Sequence, residues 1–126
     1  MDKNEFARAF EARKKNKGVG LNKAKARTIL DFITESASKE ENLDICCEEL
    51  AELTQQICKQ RRGIGDRLAL LEELADVIIV TDILMRVYDI DLDDVNCALD
   101  VKLLRNYERA LEKDEYAIVK GAESSE

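Results

Sequence analysis

The sequence predicts an all-α fold, a helical bundle of about five helices, and three observations carry that prediction. The 126 residues contain no proline and five glycines, grouped at Gly18/Gly20, Gly63/Gly65 and Gly121. A β-sandwich or barrel needs turn residues every ~8–12 positions, and this chain lacks them. Hydrophobic residues make up 45% of the chain and aromatics 5%, with no Trp, so aliphatic side chains must build the core. Those aliphatics recur at spacings of three and four through most of the sequence, the period of a helix face. The length suits one domain spanning residues 1–126.

The first helix is expected from about Asp2 to Lys15, with Phe6, Ala9, Phe10 and Arg13 on one stripe, and Gly18-Val19-Gly20 ending it. Asn22 is an N-cap for a second helix carrying Ile29, Leu30 and Ile33. The polar stretch Ser36–Asn42 either breaks that helix or forms an exposed part of it. A third helix is expected from about Leu43 to Arg62. Its apolar seam Leu43, Cys46, Leu50, Leu53 and Ile57 steps by 3, 4, 3 and 4. Lys59, Arg61 and Arg62 suit its negative dipole end, and Gly63 terminates it. Asp66 caps a fourth helix that runs to about Tyr88. Leu68 to Val87 is apolar nearly all round, as a buried central helix should be. Asp91 opens a fifth helix, with acids in its first turn, expected to end near Lys113. The tail from 120 to 126 should fray.

Several chemistries are excluded by composition. With no His there is no Ser-His-Asp triad, no Cys-His pair and no imidazole metal site. Cys46, Cys47, Cys58 and Cys97 show no C-x-x-C spacing, so they are read as small buried thiols in a reducing compartment. The longest apolar runs, Leu68–Leu71 and Val77–Val80, are four residues long, against ~20 for a membrane span. No apolar leader follows the N-terminus, and a cytoplasmic location is expected. Net charge is −7, yet residues 1–30 hold nine Lys/Arg against three Asp/Glu. The acidic remainder argues against duplex nucleic acid as the main ligand.

The acids fall where acids are costly. Glu48, Glu49 and Glu52 lie beside the third helix's seam, and Glu72, Glu73 and Asp76 repeat the arrangement on the most apolar helix. Asp76 has no basic residue three or four positions away. Asp82 also interrupts the apolar helix, but ~120° round from Asp76, and is assigned to the surface or an interface. Carboxylates ~5 Å apart repel by ~3 kcal/mol at an effective dielectric of ~20. Two helices that each present such a pair therefore call for a cation between them. Oxygen donors alone select a hard cation, Mg²⁺ or Mn²⁺.

Glu49-Leu-Ala-Glu52, then twenty residues, then Glu73-Leu-Ala-Asp76 resembles the E-x-x-E…E-x-x-D signature of the MazG-like all-α nucleoside triphosphate pyrophosphohydrolases. The segment Tyr88-Asp-Ile-Asp-Leu-Asp-Asp-Val95, followed by Lys102 and Asn106, extends the resemblance across residues 43–110. The resemblance implies Mg²⁺-dependent hydrolysis of a nucleoside triphosphate to the monophosphate and pyrophosphate, as in nucleotide-pool sanitation. It assigns the metal to Glu49, Glu52, Glu73 and Asp76 and the general base to Glu48 or Glu49. Lys102, Asn106 and Arg109 share one stripe of the fifth helix and are the candidate substrate contacts. Phosphoribosyl-ATP pyrophosphohydrolase is the alternative within the superfamily, and a non-catalytic helical dimerisation or regulatory module the alternative outside it. Phe6, Phe10 and Phe32 are the aromatics available to meet a base, and each is expected in the core. An apolar-all-round fourth helix is hard to cover within one chain, so a homodimer or homotetramer is expected.

Overall fold

Each helix begins where a short polar side chain satisfies a backbone N–H that the first turn leaves open. In the computed structural model, which describes residues 2–16 and 20–124, the five helices are α1 (Lys3–Lys15), α2 (Lys23–Glu35), α3 (Lys39–Arg61), α4 (Arg67–Val87) and α5 (Leu92–Ser124). No strand occurs among the described residues, so the fold is all-α. Asp2 accepts from the Asn4 amide (3.0 Å), Asn22 from Lys25 (2.8 Å), Ser38 from Glu41 (3.1 Å) and Asp66 from Leu68 (3.1 Å). Asp91 plays the same part for α5, accepting from the Asp93 amide at 3.0 Å. At the end of α3 the amides of Gly63 and Ile64 bond the carbonyls of Gln60 and Lys59, with Gly63 at φ 75°. This is a Schellman closure, and the left-handed residue it needs is the glycine.

Three boundaries differ from expectation. α3 starts at Lys39 rather than Leu43, because Ser38 forms a capping box with Glu41 and draws the polar stretch into the helix. α5 continues past Lys113 to Ser124, since no glycine cap or proline stops it before then. Helix therefore persists through 121–124 where fraying was expected. Residues 125–126, like Gly18 and Val19, lie outside the described residues.

The chain divides into two compact units, Met1–Asp89 and Ile90–Glu126. In the first, α3 and α4 form an antiparallel hairpin, and α1 and α2 pack on α4. Its buried apolar centre is Cys46, Val80 and Ile83, with Leu30, Leu84 and Val87 against it. The Cys46 thiol donates to the Val80 carbonyl at 3.4 Å. Asn42, 3% exposed, donates from Nδ2 to the Thr34 carbonyl at 3.0 Å and so ties α3 to the last turn of α2. Arg86 links Asp82 on its own helix (2.7 Å) to Asp31 on α2, which is the structural role expected of Asp82. The second unit is α5 with its lead-in, exposed along most of its length.

Burial departs from the sequence reading in three ways. On α4, Val80 and Ile83 are buried, but Ile78 is 71% exposed, so this helix is central on one face and not all round. Of the four cysteines Cys46 is buried and the other three are exposed. Phe32 is exposed as well, because α2 turns Leu30 inward and so directs Phe32 outward. Phe6 and Phe10 are half-buried and stack on each other at 5.9 Å.

Candidate metal centre

The face that α3 turns to α4 is not the aliphatic seam read from the sequence. Asn42 and Cys46 are buried and Glu49, Leu53 and Gln56 half-buried, whereas Leu50 and Ile57 stay 48% exposed. The packed row steps by 4, 3, 4 and 3 and lies about 60° round the helix from the expected one. α3 thus puts a carboxylate, Glu49, where a leucine one residue away was available. Opposite it, α4 presents Glu73 and Asp76 on the face that continues into Val80 and Ile83, all buried or half-buried.

Glu49, Glu52 and Glu73 each offer a carboxylate oxygen within 4.8 Å of the others. Asp76 stands beside Glu49, and its charge and hydrogen bond act on that group. All four predicted metal ligands are therefore brought together from two helices. Glu72 is half-buried next to Glu73 and adds its charge. Glu48 is exposed, about 100° round α3 from Glu49. Lys102, Asn106 and Arg109 belong to the second unit, all exposed on one stripe of α5. Gln56, not singled out from sequence, continues the packed row one turn beyond Glu52. Its spacing of seven from Glu49 was the available signal.

The electrostatics are those of acids held together without compensation. Glu49 is pushed up to about 7, first by burial and then by the charges of Asp76, Glu52 and Glu73. Burial also leads for Glu73, followed by the charge and hydrogen bond of Glu52, and it too reaches about 7. One oxygen of each, Oε2, is enclosed and has no hydrogen-bond partner. No ion pair among the described residues reaches the cluster. An enclosed carboxylate oxygen without a donor costs ~1–3 kcal/mol or more, and two of them facing one another fit a cation better than an empty seam. The donor set is all oxygen, which matches Mg²⁺ or Mn²⁺ and not a soft metal.

No helix among the described residues is long and apolar enough to cross a membrane. No protein-family model, curated protein or solved structure matches the chain. The site's chemistry thus rests on its own residues.

Proposed function

We propose that the chain is a Mg²⁺-dependent nucleoside triphosphate pyrophosphohydrolase, converting an NTP or dNTP and water to the monophosphate and pyrophosphate. The observation that carries this reading is the pair of enclosed, unpartnered oxygens, Glu49 Oε2 and Glu73 Oε2, facing each other across the α3–α4 seam. Support comes also from the two E-x-x-[ED] motifs in MazG-like order. Glu49, Glu52, Glu73 and Asp76 hold the cation, with Mn²⁺ as a possible substitute. When bound, the cation neutralises triphosphate oxygens and favours attack of water at the α-phosphorus. Glu48 or Glu49 takes the proton from that water, and Lys102, Asn106 and Arg109 meet the phosphate chain and sugar. The working form is a homodimer or homotetramer in the cytoplasm.

The test is pyrophosphate release from a panel of canonical and modified nucleoside triphosphates, with Mg²⁺ or Mn²⁺ and an EDTA control. Turnover of at least one substrate that EDTA abolishes, and that Glu49→Gln lowers by about 100-fold or more, is the expected outcome. Full activity in Glu49→Gln would remove the site assignment. Mg²⁺ binding without turnover on the panel or on phosphoribosyl-ATP would favour the non-catalytic module.

A further inference from the structure

α4 carries two seams. One, through Glu73, Asp76, Val80, Ile83 and Val87, faces α3 and α2. The other, through Leu71, Leu74, Ile78, Thr81 and Met85, also steps by 3, 4, 3 and 4, and lies on the opposite side of the helix, ~160° from Val80. Ile78 at its centre is 71% exposed and Leu74 41%. Leu71 and Met85 stand seven residues either side of Ile78, and Arg67 and Asp89 eleven residues either side. Both of these charged residues are exposed, and neither takes part in an ion pair among the described residues.

We propose that this outer seam pairs with the same seam of a second copy, the two α4 helices running antiparallel about a two-fold axis near Ile78. An isologous interface needs a patch that is complementary to itself under a two-fold rotation, and this seam is symmetric about its centre. Antiparallel pairing sets Leu71 against the partner's Met85 and brings Arg67 to the end of the seam that holds the partner's Asp89, twice per dimer. Parallel pairing would stack like charge on like charge at both ends. The first unit has reason to associate: its fully buried apolar side chains are Cys46, Val80 and Ile83, a small core for a unit of its length. The inference names the surface behind the oligomer proposed above, and it stands whether or not the acid cluster is catalytic.

Sedimentation velocity and light scattering on the full chain at micromolar concentration test it. The wild type is expected to be dimeric or a multiple of a dimer. Ile78→Asp should raise the dimer Kd on the order of 100-fold with unchanged far-UV circular dichroism, because Ile78 packs on nothing within its own chain. Arg67→Glu and Asp89→Lys should each weaken association about tenfold, and the two together should restore it to within about threefold of wild type. A monomeric wild type would overturn the proposal, leaving the seam to α5 of the same chain or to another protein. A dimer that tolerates Ile78→Asp would overturn it equally. A charge-swapped double variant no better than its parents would overturn the antiparallel arrangement.

Discussion

Glu49 and Glu73 are the residues on which the chemistry turns, and their pKa values make a stability statement. A carboxylate raised from 4.5 to about 7 on folding binds its proton more tightly in the folded state. Its contribution is therefore complete below about pH 4.5 and is lost as pH rises through about 7. In EDTA the melting temperature is expected to be higher at pH 5 than at pH 8. Glu73→Gln, which keeps the shape and removes a charge, should raise the pH 8 value and flatten the profile. Melts that rise between pH 5 and pH 8 in the wild type would refute the strained cluster. At this scale much of the site was legible. Two acid pairs at helical spacing named the four ligands, and Asp76 stood out because its neighbours are apolar. What the residues alone left open was whether Glu48 or Glu49 faces α4, since adjacent positions on a helix differ by 100° and a partner must choose between them.

Among the elements, caps were the most readable features because they depend on local hydrogen bonds. Asn22, Ser38, Asp66 and Asp91 each sit before a helix and accept from its first turn. Asn42 was not readable, because its partner is eight residues away on another helix. It takes up a carbonyl that the last turn of α2 leaves open, in a buried position. Asn42→Ala is expected to cost ~1–3 kcal/mol, seen as a lower urea midpoint with an unchanged m-value. A change within ~0.5 kcal/mol would show that water replaces the amide. The packing face of α3 was misread for a related reason. Leu43, Cys46, Leu50, Leu53 and Ile57 satisfy the helical period, but so does the row through Asn42, Cys46, Glu49, Leu53 and Gln56. Hydrophobicity favours the first row, and a cation needed between the helices would favour the second.

For the molecule as a whole, the acid cluster couples folding to a ligand. A cation that binds the folded chain alone stabilises it by about 2.7 kcal/mol at a hundred times its Kd. Mg²⁺ at millimolar concentration is therefore expected to raise the melting temperature of the wild type at pH 8 by several degrees, and to leave Glu49→Gln and Glu73→Gln nearly unmoved. Equal shifts in all three proteins would place the effect elsewhere on an acidic surface. The all-α class, the five helices and the order of the acidic motifs were set by the sequence alone. They depend on local propensity, capping and the absence of proline, which act within a few residues. Only the tertiary structure decided that α3 packs through Glu49 rather than Leu50, that Asn42 holds α2, and that the outer row of α4 around Ile78 stays uncovered. Each of those is a choice between faces of one helix, and a helical period marks the candidate faces without saying which of them meets a neighbour.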